Sequence, residues 1–370
     1  MTDLYCPMIH GGLEIDFKND KPTAQHCCLR RDAFPIDINT DYWNSPNFAV
    51  LREQNKQNIW APGCENCQRL ESAGQTSFRL GMTHGLDISG HDLSGPARID
   101  LMADIGCNLG CRTCGPRFST FWQKHLKIHN QWDKPVQSPQ HHTNIISALS
   151  KLDLSNLRML VFCGGETLLG QSYWEVASWL ADNVPNAKQQ LTLCFQTNGT
   201  QPIQPRHYEL IDRFHLVKLH ISLDGINERF EYLRWPANWN QVVDNIMQVR
   251  ELSPSNTMFL IEETISIFNL WYSDEVSQWV KNNFTTNREG DPVIHTKHLA
   301  NGIFSLTTCS QEYISAIQHT ELKNLVSTDW TENPDSINKM ISEIKKFDSL
   351  RNQSFEQTFP KVAEFYSRFL

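Results

Sequence analysis

From residue 98 onward, short apolar runs alternate with longer stretches whose apolar positions recur every three or four residues. That is the pattern of β-strands exchanging with amphipathic helices. The runs at 98–104, 157–163, 190–197, 216–223, 257–264 and, more weakly, 292–299 predict strands. The stretches at 116–130 with 141–151, 172–183, 205–214, 239–252 and 273–283 predict the helices between them. A helix between each pair of strands imposes parallel pairing and right-handed crossovers. The expected fold class is therefore α/β, a partial (βα)6, TIM-like barrel whose chemistry sits at the C-terminal strand ends. Residues 1–95 are different: rich in Pro, Gly, Asn and Asp, with one helical stretch at 45–56 and little apolar periodicity. Such a segment suits a metal-held module with a small core. Residues 85–96 read as a linker, and 301–370 as mostly helical. The expected organisation is a cysteine-rich module (1–95), a barrel core (96–300) and a helical C-terminal region (301–370).

Composition narrows the class. The 370 residues are 40% hydrophobic and 20% charged, as in an ordinary soluble globular protein. No apolar run approaches the roughly 18–20 residues of a membrane span, so no membrane association is expected. The net charge of −8 has the wrong sign for gripping phosphate backbones, and no nucleic-acid partner is expected. The first residues carry neither a basic nor an apolar export segment, so the expected location is the cytoplasm. In that reducing compartment, clustered cysteines are more often metal ligands or redox groups than disulfides. Of eleven cysteines, Cys6, Cys27, Cys28, Cys64 and Cys67 lie in the first 70 residues; Cys107, Cys111 and Cys114 follow directly after the first barrel strand.

The sharpest signal is Cys107-Asn108-Leu109-Gly110-Cys111-Arg112-Thr113-Cys114, which brings three thiolates from one loop. Three ligands for a four-iron cluster leave one iron open to a further molecule. At the next strand ends stand Cys163-Gly164-Gly165-Glu166, Gln196-Thr197-Asn198-Gly199-Thr200, Ser222-Leu223-Asp224-Gly225 with Arg234, and Thr264-Ile265-Ser266 with Asn269. Taken singly, each of these is a common turn or surface feature. In this order, over about residues 98–270, the set resembles the radical S-adenosylmethionine (SAM) superfamily. The resemblance implies a [4Fe–4S] cluster on Cys107, Cys111 and Cys114. SAM would be held by Gly164, Gly165, Glu166, Asn198, Ser222, Asp224 and Arg234, with Glu166 at its ammonium and Arg234 at its carboxylate. It also implies reductive cleavage of SAM and a reducing partner such as flavodoxin or ferredoxin.

Cys6-Pro7, Gly11/Gly12, His26-Cys27-Cys28, Trp43-Asn44, Leu51-Arg52 and Gly63-Cys64-Glu65-Asn66-Cys67 resemble the SPASM or twitch auxiliary-cluster modules. Those modules usually follow the barrel, whereas this match precedes it. The resemblance implies an auxiliary [4Fe–4S] cluster on Cys6, Cys27, Cys64 and Cys67, with Cys28 an alternative to Cys27 and a four-thiolate zinc site the alternative occupant. Cys163 and Cys194 fall in strand patterns as buried small side chains. Cys309, if it faced the cavity, would be a hydrogen-atom donor to a substrate radical. The histidines, His141-His142 and His295 with His298 included, form no metal-ligand pattern. The expected activity is hydrogen-atom abstraction from a small-molecule or peptide substrate, for net oxidation or C–H functionalisation. The rivals are a ribosomal-peptide maturase that cross-links or epimerises, and a non-catalytic iron–sulfur or zinc scaffold.

Overall fold

The computed structural model describes residues 4–17, 21–30, 33–85, 93–137, 142–284, 293–317 and 331–370. It is an α/β fold around one nine-stranded, mostly parallel sheet, consistent with a partial barrel. The strands are β1 (Gly12–Asp16), β2 (Thr23–Gln25), β3 (Phe34–Pro35), β4 (Arg98–Met102), β5 (Met159–Cys163), β6 (Thr192–Thr197), β7 (Leu216–Ser222), β8 (Thr257–Ile265) and β9 (Ile294–Leu299). Their order is β3-β2-β1-β4-β5-β6-β7-β8-β9. All pairs from β1–β4 through β8–β9 are parallel, and β2 and β3 extend the sheet antiparallel at one edge.

The six predicted barrel strands are all present, with ends that shift by one or two residues. Alternation along each strand makes the two faces. Leu13, Ile15, Ile99, Leu101, Leu160, Phe162, Leu193, Phe195, Val217 and Leu219 are buried in the main core under the helices. Each contributes about 1.5–3 kcal/mol of burial free energy. The residues between them fall on the other face, and many are charged or polar: Glu14, Arg98, Asp100, Cys163, Lys218, His220 and Glu262.

The N-terminal segment departs from expectation. Residues 12–16 form a seventh parallel strand, in register with β4 from Gly12 opposite Arg98 to Asp16 opposite Met102. Leu13, Ile15, Phe17, Tyr42, Trp43 and Phe48 are buried in the main core, so the segment shares the barrel's core in addition to a small cluster of its own around Cys6, Met8, Ile9 and Leu51. A five-residue strand with two apolar positions is too short to stand out by periodicity. The predicted helix at 45–56 is present as Pro46–Lys56. Of the predicted linker, residues 86–92 lie outside the described residues, as does His141 at the start of the helix predicted at 141–151.

The C-terminal region is helical, at Gln311–Ile317, Pro334–Arg351, Phe355–Thr358 and Pro360–Glu364. It forms a second core with Tyr232, Leu233, Ile265, Ile267, Phe268 and Leu270. Cys309 belongs to this core, 0% exposed. Burial pushes its thiol up to about 12, with Tyr366 beside it. The thiol expected as a hydrogen-atom donor if it faced the cavity is instead packed among the C-terminal helices in this second core. Among the described residues no helix is long and apolar enough to cross a membrane.

Candidate active site

The chain leaving β4 is tied down before it reaches Cys107. Asp104 accepts a hydrogen bond from the Gly106 amide at 2.6 Å. Gly164 and Gly165, leaving β5, lie against this same backbone. A Cβ on Gly164 would overlap the Asp104 carbonyl oxygen, and φ there is +131°, a region only glycine enters without strain. A Cβ on Gly165 would overlap the Gly106 carbonyl. The Glu166 amide donates to Gly106 O at 2.7 Å. The two glycines thus let strand end and cysteine loop meet backbone to backbone.

Glu166 is fully buried. Its carboxylate accepts from Leu168 N (3.0 Å), Thr197 Oγ1 (2.8 Å) and Asn198 N (2.6 Å). Burial raises its pKa against the pull of these donors. Both oxygens are engaged within the chain, so Glu166 joins the ends of β5 and β6 and sets the position of Asn198. The sequence expectation placed it at the SAM ammonium; the geometry gives it this bracing contact. Asn198 in turn donates through Nδ2 to Cys107 Sγ (3.9 Å) and Asn108 Oδ1 (3.1 Å). Asn108 donates to Thr200 Oγ1 at 2.8 Å.

On the far side of the loop, Asp224 and Arg234 form a buried ion pair at 2.8 Å, with side chains 2% and 10% exposed. Asp224 also accepts from the Thr264 amide (2.8 Å), and Asn269 donates to the Asp224 carbonyl (2.9 Å). Burial works against the Arg234 charge, but Asp224 and the Cys111 thiol outweigh it and its pKa is raised. Arg234 Nε is buried with no hydrogen-bond partner among the described residues. Ser222 ends β7, half-buried.

Burial pushes the three loop thiols up, Cys107 to about 11 and Cys111 and Cys114 to about 12, and each also feels at least one of the others. Thiols so placed stay protonated until a metal group displaces the protons. Among the described residues no three His, Cys, Asp or Glu side chains are arranged around a single ion. A single ion draws its donors to one point, whereas a four-iron cluster spreads its thiolates over separate irons.

The sequence did not reveal what holds the loop from outside. Arg112 is buried and donates through Nη2 to Asp348 (2.6 Å) and Gln353 (2.9 Å). Tyr232 OH donates to the same Asp348 oxygen at 2.7 Å. Trp122 Nε1 donates to the Cys111 carbonyl at 3.0 Å, and Ser119 donates to the Leu109 carbonyl at 2.8 Å while capping the helix Thr120–Ile128. Arg351 sits between Trp122, Trp235 and Phe347. Nothing local marks a contact between residues 112 and 348; an arginine inside the cysteine loop was the one available hint.

At the opposite end of the strands, Cys6, Cys27, Cys64 and Cys67 line one pocket. Cys6 precedes the helix Pro7–Gly11 that leads into β1, and Ala97, before β4, packs in the same cluster. Burial raises Cys6, and Cys64 to about 11. Cys28 does not line this pocket; its thiol meets that of Cys27 and lies near Asp100, Glu14 and Arg98. The two cysteine sets are thus separated by the length of β4, about 16 Å at about 3.3 Å per residue.

Between them, on the polar face of the sheet, His220 Nδ1 and His298 Nε2 flank Glu262, at 2.7 and 2.5 Å. Glu262 stands opposite Ser222 in the β7–β8 register. Burial pulls Glu262 up, but the hydrogen bonds from His220 and His298 outweigh it and hold its pKa near about 2. Glu262 raises His298. Glu262 therefore stabilises the fold above its ordinary value near 4.5 and loses that contribution as pH falls toward about 2. The raised His298 contributes below its ordinary value near 6.5 and loses the contribution as pH rises through its folded value. Glu262→Gln should accordingly cost most between these ordinary values, by about 1 kcal/mol or less because His298 is exposed. Urea unfolding of both proteins at about pH 5.5 and about pH 8.5 checks this; a cost that grows toward pH 8.5 contradicts it.

Residues 105–268 match the family model of the Radical SAM superfamily. The chain carries a radical SAM domain. The matched stretch holds the cysteine loop, both glycines, Glu166, Asn198, Ser222, Asp224 and Arg234. No curated protein matches the chain. Among solved structures, His-tagged anSMEcpe with bound AdoMet is 16% identical at a TM-score of 0.39, covering 69% of this chain and 61% of that one. Streptococcus suis SuiB bound to S-adenosylmethionine is 9% identical at a TM-score of 0.38, covering 94% of this chain and 74% of that one. The chain thus spans about three-fifths of anSMEcpe's length. At these scores the likeness says nothing more about this domain's chemistry.

Proposed function

We propose that this chain is a radical SAM enzyme that abstracts a hydrogen atom from a small-molecule or peptide substrate, for net oxidation or C–H functionalisation. The observation that carries the reading is Arg234: buried, paired with Asp224, within electrostatic reach of Cys111 and Cys114, and with Nε lacking a hydrogen-bond partner among the described residues. A buried guanidinium nitrogen left open suits a ligand carboxylate, which takes a planar fork with geometric specificity.

In this reading Cys107, Cys111 and Cys114 hold a [4Fe–4S] cluster. The cluster, when bound, supplies the electron that splits SAM into methionine and a 5′-deoxyadenosyl radical. The chain's own residues hold and orient. Arg234 takes the SAM carboxylate, with Asp224 keeping the guanidinium in place. Ser222 and Asp224 offer oxygens to the ribose, and Asn198 donates toward Cys107. Glu166 fixes Asn198 and the strand ends, while Gly164 and Gly165 set the loop's depth. The polar face beneath, with Glu14, Arg98, Asp100, Lys218 and the Glu262 pair of histidines, favours a polar substrate over an apolar one. An auxiliary [4Fe–4S] cluster on Cys6, Cys27, Cys64 and Cys67 is part of the same proposal, and its place at the far strand end suits an electron leaving the substrate. A flavodoxin or ferredoxin is the proposed reductant.

The test is SAM binding to anaerobically reconstituted protein by calorimetry, with 5′-deoxyadenosine measured after dithionite reduction. Arg234→Met is expected to weaken SAM about tenfold or more, since a charged hydrogen bond contributes about 1.5–3 kcal/mol. A protein that loads iron but neither binds nor cleaves SAM would leave the scaffold reading in its place.

A further inference from the structure

The helix Pro334–Arg351 brings a second buried arginine to the cysteine loop. Arg351 is 6% exposed, and none of its three guanidinium nitrogens has a hydrogen-bond partner among the described residues. Its charge is faced by the rings of Trp122 (4.6 Å), Trp235 (4.8 Å) and Phe347 (5.0 Å). Nη2 points at Gly110, 3.2 Å from where a Cβ would stand, and Gly110 lies between Cys107 and Cys111. Arg112, from within the loop, is compensated on one nitrogen by Asp348 and Gln353, but its Nε and Nη1 are also without partners. Two guanidinium groups and one carboxylate leave a net positive charge behind the loop.

Leaving a guanidinium buried and unpaired costs several kcal/mol. An aromatic ring under a desolvated cation returns about 2 kcal/mol at best, and rings accept none of its N–H donors. A buried cation with open donors, aimed at a loop of three thiolates, fits an anionic group in that loop. An iron–sulfur cluster on three thiolates carries net negative charge, and one more negative charge when reduced. A fixed cation nearby stabilises the reduced form more than the oxidised one, since charge and hydrogen bonding around the sulfurs tune cluster potentials.

We propose that Arg351, with Arg112, is the built-in counter-charge of the cluster at Cys107, Cys111 and Cys114 and raises its reduction potential. The inference rests on the proposed cluster. Arg351 is a positioning residue in this role: it acts on the cluster and on nothing that reacts.

The test is potentiometric titration of the reconstituted full chain, following the electron paramagnetic resonance signal that changes on SAM addition. Four proteins are compared: wild type, Arg351→Gln, Arg351→Lys and Asp348→Asn. Arg351→Gln is expected to lower the reduced-to-oxidised ratio about tenfold at the wild-type midpoint, a negative shift of about 59 mV for one electron. Arg351→Lys keeps the charge and stays near wild type, and Asp348→Asn removes the opposing carboxylate and shifts the midpoint upward. Packing alone would not give opposite signs for Arg351→Gln and Asp348→Asn. Should Arg351→Gln fail to take up iron, the signs for the lysine and asparagine variants still decide. Full iron with an unmoved or uniformly lowered midpoint overturns the inference and leaves the proposed function standing. Wild type that holds no more iron than the Cys107/Cys111/Cys114→Ala protein overturns both.

Discussion

Anaerobic reconstitution of the Cys107/Cys111/Cys114→Ala protein is expected to retain about four of the wild type's about eight irons and to make no 5′-deoxyadenosine. Two four-iron clusters give the first figure. The second follows because the remaining cysteine set lies at the other end of β4, and cannot stand in for the missing ligands. The loop itself should survive the substitution. Its backbone is held by Gly110 N to Trp235 O (2.7 Å) and Arg112 N to Leu233 O (2.7 Å), and by Trp122 on the Cys111 carbonyl, none of which involves sulfur. Four irons in the wild type and none in the variant, with zinc bound to both, would turn the N-terminal set into a structural zinc site. Deoxyadenosine from the variant would refute the assignment of these cysteines.

Gly165→Ala is expected to be among the most damaging single changes in the domain outside the cysteines. The added methyl would meet the Gly106 carbonyl and the Ile105 backbone, and no flexible side chain stands there to give way. Overpacking against backbone costs about 1–3 kcal/mol. The strain falls on residues 105–106, immediately before Cys107, so the loop moves together with the fold. Thermal unfolding should fall by several degrees and iron content at the loop should drop with it. A control is at hand in Gly115, where an added Cβ meets nothing within 4 Å, and Gly115→Ala should leave both readings unchanged. If Gly165→Ala loads iron and melts like wild type, the close approach of the two strand ends does not set the loop's position.

Much of this chain is legible in one dimension. Strands and helices between 98 and 299 announce themselves because a packed sheet buries alternate residues and a packed helix buries every third or fourth, and both leave periods in the sequence. The cysteine loop and the strand-end motifs are legible for a related reason. Chemistry at the C-terminal strand ends draws on contiguous residues, so each contribution is a short word in the text. The set Cys6, Cys27, Cys64 and Cys67 came instead from a resemblance to auxiliary-cluster modules, and the structure brings these four residues to the lining of one pocket.

Pairings between distant segments required the tertiary structure. β1 joins the barrel only because Gly12–Asp16 hydrogen-bonds beside β4, and five residues with two apolar positions carry no period of their own. The sequence left Cys309 as an inert thiol or, if it faced the cavity, a donor; its packing among the C-terminal helices is a tertiary fact. Glu166 read as a ligand-facing carboxylate, yet its three donors come from residues two, 31 and 32 positions away. Asp348 and Arg351 reach Arg112 and Gly110 across more than two hundred residues. Periodicity and motif spacing record what a residue does with its neighbours in the chain. Which charges are brought together in the interior, and which are left there without a partner, depends on contacts between segments that only the folded chain brings within reach.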